Sequence, residues 1–487
     1  MFHLLSAKRK VFNRAGPTRS LSSSNLLLKE RMSDRFSPPI NRSMKILDRS
    51  FFNKEVDLLA VRFPNPRFIG SFVKICKADI LNVQNLKHVV SLGNGEKGVL
   101  LNDNVTDINT YKQLLEKNTL EKIKDFGASV VPYTMKLDYN FWKANDILKA
   151  VLPENLLDDI PTGFAQAGHV AHLNLHEDFK PFGELIGQVI LDKNSRVETV
   201  VDKIDTIGTK FRTFPLKVLA GKKDLLVEQN ESGCRFKFDF ENVYWNSRLS
   251  TEHERLVDQF KVNEAVGDVF AGVGPFAIPA GKKSTFVLAN DLNPESYKYL
   301  KTNISLNNTD DFVRPFNLDG IDFIKQSPKL LLEWAHSKKF ITQKRQTKRR
   351  RFDTKENSSS PKELHVDKFE IPQFFSHYVM NLPDSAVSFL GAFNGLYNHP
   401  DIRDIIKNTP TFGLPKLHVH CFEKYSPDEQ PEPSLQLLEK RVHQRIINNI
   451  GYPIPIKACQ FHLVRHVAPT KPMFCVSFEL PEEVAFR

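Results

Sequence analysis

The stretch Asp268-Val-Phe-Ala-Gly-Val-Gly-Pro-Phe-Ala277 limits what this chain can fold into more than any other. An apolar run ends in Gly272 and Gly274, and a small residue, Ala277, follows three places on. Two glycines let a strand turn sharply and bring a ligand against bare backbone, while a small residue lets the next helix pack close to the strand. The spacing G-x-G-x-x-A is that of a nucleotide-type turn between a strand and a helix.

What surrounds the turn fits that reading. From Phe236 onward apolar strand-like runs alternate with helical patterns, which predicts an α/β domain with a parallel sheet. Val266–Phe270 is the expected first strand, Thr285–Asn290 the second, Phe316–Leu318 the third and His377–Met380 the fourth. Pro294–Asn303 reads as a helix, Leu417–Phe422 as a fifth strand and Leu435–Ile450 as a helix. Phe461–Arg465 and Phe474–Leu480 close the sheet.

A chain of 487 residues is too long for one core. Residues 41–110 read as a small N-terminal α+β domain, and residues 111–127 as a helical linker. Residues 125–239 form a second α+β unit. In it, Tyr139–Val151 has helical spacing, and Pro161–Phe164, His169–Leu175 and Leu185–Leu191 suggest strands. His169 and His172 are three apart, a helical spacing in strand-like sequence, and read as structural rather than as metal ligands. Residues 240–487 are the sheet domain, interrupted at 337–370 by a basic, Ser- and Pro-containing insertion expected to be disordered.

The net charge of +11 does not lie in the folded body. Residues 1–31 carry +6 and residues 338–355 carry +8, which leaves −3 for the rest. An RNA site in the body must therefore be a local patch. Residues 1–31, with no acidic residue before Glu30 and frequent Arg, Ser and Leu, have the composition of a mitochondrial presequence. Met32 offers a second start without it. Lys344-Arg345 and Lys348–Arg351 resemble a nuclear import signal. Mitochondrial matrix, cytoplasm and nucleus are the expected compartments. Five scattered cysteines without C-x-x-C give neither a zinc ribbon nor a disulfide framework, and no apolar run approaches the ~18 residues of a membrane span.

Ligands of open α/β sheets bind outside the carboxyl ends of the strands, so the glycine turn, Asp291, Asp319 and Asn381 should share one crevice. Asp291 is placed to take a ribose diol with both oxygens, and Asp319 to reach a nucleoside base. A dinucleotide would satisfy the turn and both acids, but Asn381-Leu-Pro-Asp384 is no part of its fingerprint. Thr251-Glu-His-Glu254 reads as a helix capping box, and Asn381 could cap a following helix.

Taken together, the glycine turn, Asp291-Leu-Asn-Pro, Asn381-Leu-Pro and Tyr244-Trp-Asn-Ser-Arg248-Leu-Ser-Thr-Glu252-His253-Glu-Arg255 resemble the archaeal and eukaryotic tRNA (guanine-37 N1) methyltransferases. The resemblance runs from about residue 41 to the C-terminus outside the insertion. It implies a Rossmann-like, class I methyltransferase domain behind small α+β RNA-binding domains. It also implies S-adenosylmethionine (AdoMet) as cofactor, tRNA as partner, a monomer and no metal. Glu252 would be the base that removes the N1 proton, Arg212 the cation facing O6, and Asn381 a residue that positions base or cofactor. His253, Gly272, Asp291, Leu292, Asp319, Gly320 and Asn381 would hold AdoMet, and Arg248 and Tyr244 would meet the substrate. Leu382 and Asp384 depart from the Asn-Pro-Pro-aromatic form, which removes the stacking aromatic of exocyclic-amine methylation. Three readings stay open beside this one: an aminocarboxypropyl transferase on the same tRNA position, a non-catalytic RNA-binding protein and a nicotinamide-dependent dehydrogenase.

Overall fold

The computed structural model describes residues 34–204, 211, 213, 215–346 and 364–487. It divides into two compact units. One comprises Asp48–Pro153 with the segment ending at Met44; the other comprises Lys45–Leu47 and Glu154–Arg487.

The first unit is built on β1 (Lys54–Phe63), whose residues are apolar on both faces along its second half. Such a strand needs neighbours on both edges and cover on both faces. Strands β2 (Val89–Gly93), β3 (Glu96–Leu100) and β4 (Ser129–Leu137) complete an antiparallel sheet in the order β2-β3-β1-β4. Helices α1 (Ile69–Ile75), α2 (Tyr111–Leu114) and α3 (Lys117–Asp125) accompany it. Phe72, Leu115 and Ile123 bury against Leu59, Val61 and Phe63.

This corrects the expected boundaries. β4 pairs with β1 from Lys54↔Leu137 to Arg62↔Ser129, so residues 125–153 belong to the first unit. The break read near residue 127 is only a turn, with Gly127 at φ +59°. The helix expected from Tyr139 begins later, as α4 (Ala144–Val151). Asp138 first turns the chain by accepting the Asn140 N–H, and Asp146 reaches back to the Lys143 N–H.

The second unit starts with strands β5 (Ala165–Ala167), β6 (Val170–Leu173), β7 (Thr199–Lys203) and β8 (Leu216–Gly221), joined in that order. β6 and β7 are parallel, and a parallel pair needs a crossover. Residues 185–191, expected as a strand, supply it within α5 (Gly183–Lys193). Leu185, Ile186, Val189 and Ile190 share one helix face, and Gly187 lets that face close on β8, where a Cβ would lie 2.6 Å from Leu219. A short apolar run has no period of its own, which is why it misleads.

A hairpin of β9 (Leu226–Glu231) and β10 (Cys234–Asp239) leads to α6 (Ser250–Val257) and the seven-stranded sheet. Its strands are β11 (Ala265–Asp268), β12 (Phe286–Asn290), β13 (Val313–Phe316), β16 (His377–Met380), β17 (Lys416–Phe422), β18 (Gln460–Ala468) and β19 (Lys471–Glu479). Between β13 and β16 comes a second hairpin, β14 (Phe340–Gln346) with β15 (Leu364–Glu370). The flanks of the insertion are thus an ordered ladder, and residues 347–363 lie outside the described residues, as do residues 1–33. Helices α7 (Ala277–Lys282), α8 (Pro294–Leu306), α9 (Gly320–Ser337), α10 (Pro400–Lys407), α11 (Leu435–Ile450) and the short α12 (Glu482–Ala485) complete the unit.

The sheet order is β13-β12-β11-β16-β17-β19-β18, with β19 antiparallel to both of its neighbours. The order reverses between β11 and β16, which opens a crevice at their carboxyl ends. The third strand ends at Phe316, two residues before the expected end. The 154–239 segment packs on the sheet domain: Ala167, Val170 and Val201 share one core with Val266, Val287 and Val379.

Candidate active site

The crevice is organised by strand ends that are tied to one another. Asn290, the last residue of β12, donates from Nδ2 to the carbonyls of Val269 and Leu318 and accepts the Leu318 N–H at Oδ1. One buried side chain thereby fixes the ends of β11, β12 and β13. Asn317 adds a second clasp by donating to the carbonyls of Asp291 and Leu292.

The two glycines have different jobs. Gly274, at φ +99°, sits where a Cβ would come within 2.8–2.9 Å of Ile278 and Leu300, so it sets the approach of helix to strand. Gly272, at φ +54°, has nothing within 4 Å of that position and exposes bare backbone to the crevice. Its N–H donates to Asp291 Oδ2 at 2.8 Å, and Asp291 Oδ1 accepts the Asn293 N–H at 2.9 Å. Each Asp291 oxygen thus serves the backbone first, and the Ser296 hydroxyl also bonds the carboxylate. Burial pushes the Asp291 carboxyl up to about 6, against the N–H groups of Asn293 and Gly272.

Asp319 is exposed and caps α9 by accepting the Ile321 N–H. Gly320 behind it is buried, and a Cβ there would meet the rings of Phe270 and Phe389 at 2.9 and 3.0 Å. Those rings pack edge to face, 4.9 Å between centroids, as an apolar wall. Phe389 was missed because it lies in a short 3-10 helix, Ala386–Phe393, with no motif of its own.

Two acceptor groups at the head of the crevice are poorly satisfied among the described residues: Oδ1 of Asn381 has no hydrogen-bond partner, and the completely buried Asp268 carboxylate has only the Phe270 N–H. Burial, then the charge of Asp291, pushes the Asp268 carboxyl up to about 8. Asn381 caps no helix, since Ser385 precedes the next one. Buried acceptors normally find donors, but these atoms are closed to water and face no ligand directly; the bare Gly272 backbone is the part of the turn open to one.

Glu252 is not in a capping box. Asn246 caps the short turn Ser247–Leu249, and α6 continues from Leu249 with no side-chain cap. The Glu252 side chain is 2% exposed and fully engaged. Arg255 grips it through Nε at 2.6 Å and Nη2 at 2.7 Å, His420 Nε2 stands at 2.8 Å and His462 Nε2 at 3.5 Å. Burial alone would raise its pKa, but Arg255 and His420 hold it down to about 2. Burial would likewise lower His420, yet Cys475 and Glu252 raise it to about 10. His420, Cys475 and His462 lie in register across β17, β19 and β18. Ligand atoms of Glu252, His420 and Cys475 come within 4.8 Å of one another, a grouping that no local spacing announced. The Arg255 fork occupies that carboxylate and favours an ion-pair cluster over a metal site.

His253, next along α6, is buried, and its Nδ1 lies 2.6 Å from Oε1 of Glu231, a residue that no sequence motif singled out. Its ring packs edge-on against Phe276 of the glycine turn. Tyr244 and Arg248 stand exposed on the segment entering α6, with Trp245 between them packed on Phe236 and Phe238. Leu292 is half-buried beside Asp291. Arg212 lies outside the described residues. His169 bonds the Asp224 carbonyl, and His172 packs on Phe240. All five cysteines are free, and no described helix is long and apolar enough to cross a membrane.

Residues 227–352 match the TRM5/TYW2 methyltransferase domain, and residues 144–224 match the TYW2 N-terminal domain. Relatives named tRNA (guanine(37)-N(1))-methyltransferase include one from Candida albicans, 56% identical over 455 residues. That match covers 93% of this chain and 99% of the relative. The Saccharomyces cerevisiae relative is 49% identical and covers 92% and 95%; that of Schizosaccharomyces pombe is 46% identical and covers 91% and 95%. Two solved structures share the fold over 87% of this chain: Trm5b from Pyrococcus abyssi, TM-score 0.51 at 21% identity over 99% of that chain, and aTrm5 in its complex with tRNALeu, TM-score 0.56 at 18% over 100%. Likeness this close, along nearly the whole of several relatives, means that the chain belongs to the tRNA (guanine(37)-N(1))-methyltransferase family.

Proposed function

We propose that the chain transfers a methyl group from AdoMet to N1 of guanosine 37 in tRNA, the reaction its relatives are named for. The observation that carries the cofactor reading is the bare Gly272 backbone, held against the Asp291 carboxylate at the carboxyl end of the glycine-turn strand. Gly272, Asp291, Leu292, Asp319, Gly320, His253 and Asn381 would hold AdoMet. When bound, AdoMet supplies an electrophilic methyl group.

The remaining work falls to the chain. Guanine N1 carries a proton at neutral pH, and its removal by a positioned base is worth about 10²–10⁴-fold. Glu252 is that base in our reading. It is an anion, as a proton acceptor must be, but Arg255 and His420 consume its basicity. It gains proton affinity when one oxygen turns from Arg255 toward the substrate. Arg212 would stabilise charge developing on O6, and Arg248 with Tyr244 would contact the RNA. A base in an anticodon loop has to be turned outward to reach such a crevice.

The test uses labelled AdoMet with tRNA transcripts carrying G or A at position 37. An N1-methyl group blocks Watson–Crick pairing, so reverse transcription should stop at that base with G only. Label without a stop removes the N1 assignment. The shared TRM5/TYW2 domain favours one second reading, aminocarboxypropyl transfer, and the mass of the modified nucleoside separates the two. In tRNA-Phe the same methylation would begin wybutosine synthesis. Residues 1–31 and the basic clusters at 344–351 would direct forms of the enzyme to mitochondrial matrix and nucleus, with a cytoplasmic remainder. Fluorescent fusions starting at Met1 and Met32 should then distribute differently.

A further inference from the structure

Glu231 ends β9 at the turn Ser232-Gly233, whose φ values are +49° and +71°. Positive φ at both central residues matches the twist of a tight hairpin. That hairpin is anchored at several points. Lys282 Nζ donates to the Gly233 carbonyl at 2.7 Å, and the side-chain oxygens of Asn307 and Asn303 accept the N–H of Arg235 and Lys237 at 2.9 and 2.7 Å. The Glu231 carboxylate therefore has a fixed place, 9% exposed and 2.6 Å from Nδ1 of His253, itself 4% exposed. A carboxylate only accepts, so the proton lies on Nδ1 and Nε2 is the ring's working nitrogen. That Nε2 bonds no described residue.

The sheet order fixes which end of a nucleoside cofactor meets this ring. Asp319 follows β13, Asp291 follows β12, the glycine turn follows β11 and Asn381 follows β16, all along one edge. A base read at Asp319 and a ribose at Asp291 leave the rest of the ligand over β11, where Phe276 carries His253.

We propose that Glu231 is a positioning residue for cofactor recognition: it fixes the tautomer and orientation of His253, whose Nε2 meets the charged amino-acid end of AdoMet. The proposal rests on AdoMet being the cofactor. It makes the hairpin before the methyltransferase sheet part of the pocket, and it separates recognition of the amino-acid end from that of the adenosine.

Calorimetry with the full chain and two ligands tests it: AdoMet, and 5′-methylthioadenosine, which has the nucleoside and sulfur but no amino-acid end. Glu231→Ala should weaken AdoMet about tenfold and leave 5′-methylthioadenosine within about twofold. Glu231→Gln, which keeps an acceptor for Nδ1–H, should restore most of the loss. In a His253→Ala background, Glu231→Ala should cost nothing further. Equal loss for both ligands, or unchanged AdoMet affinity, overturns the proposal. If Glu231→Ala does not fold, His253→Ala alone must show the same ligand selectivity, and its absence is equally decisive. Wild-type chain that binds neither ligand would instead sink the cofactor reading beneath it.

Discussion

The Glu252 carboxylate and the His420 imidazole meet at 2.8 Å in a layer closed to solvent, 168 residues apart in the chain. The pair makes stability depend on pH in a definite direction. His420 is held up at about 10 against an ordinary 6.5, so its contribution is full below 6.5 and is lost as pH rises through 10. Glu252 is held down at about 2 against an ordinary 4.5, so its contribution is present above 4.5 and is lost as pH falls toward 2. Urea unfolding across pH 5–10 should therefore show stability declining on the alkaline side. In Glu252→Gln that decline should shrink; an unchanged slope would assign it to other groups.

The same substitution tests catalysis. Glu252→Gln should lower single-turnover methylation by about 10²–10⁴-fold while AdoMet still binds. Because it breaks a buried ion pair, it should also cost about 3–5 kcal/mol of stability, so rates have to be normalised to folded protein. Near-normal turnover would leave Glu252 a purely structural anchor for α6.

The glycines should separate stability from binding. Gly274→Ala places a methyl group against Ile278 and Leu300 at positive φ, and about 2–4 kcal/mol of stability should be lost. Gly272→Ala meets open space and should cost only the backbone term, about 1–2 kcal/mol, yet it fills the bare face that the cofactor needs. Paired thermal melts and AdoMet titrations check this, and equal effects of the two variants on both readouts would contradict it.

Asp268 is expected to destabilise the ligand-free chain. Its carboxyl sits at about 8 in the fold against an ordinary 3.8, so the native state binds the extra proton and stability falls as pH rises between those values. Asp268→Asn should raise the melting temperature at pH 8 and flatten that slope. A lower melting temperature at pH 8 would mean that the carboxylate has partners in solution.

Local pattern carried most of the sheet. The glycine turn, the strands at Phe286–Asn290 and His377–Met380 and the helix at Leu435–Ile450 announce themselves through runs and spacing within a few residues. So do Asp291 and Asn381, because a strand end implies a position. What stayed illegible depends on register between distant segments. Nothing near Glu252 points to His420, Cys475 or His462, although the alternation His418-Val-His420-Cys in β17 does show that one face of that strand is polar and inward. Glu231 reads as an ordinary hairpin residue until the fold brings α6 over it. The strand expected at Leu185–Leu191 failed for the opposite reason: its composition was local, but the need for a crossover helix was topological.

The β9–β10 hairpin also bears on how this enzyme can be cut. Asn303 and Asn307 of the α8 region hold its second strand, and its first strand ends in the acid that meets His253. A fragment beginning at the glycine-turn domain proper, near residue 240, would leave Asn303, Asn307 and His253 each missing a partner. The smallest excisable catalytic piece therefore starts upstream of Leu226, and a recombination point between family members is better placed at Pro153, where one compact unit gives way to the next.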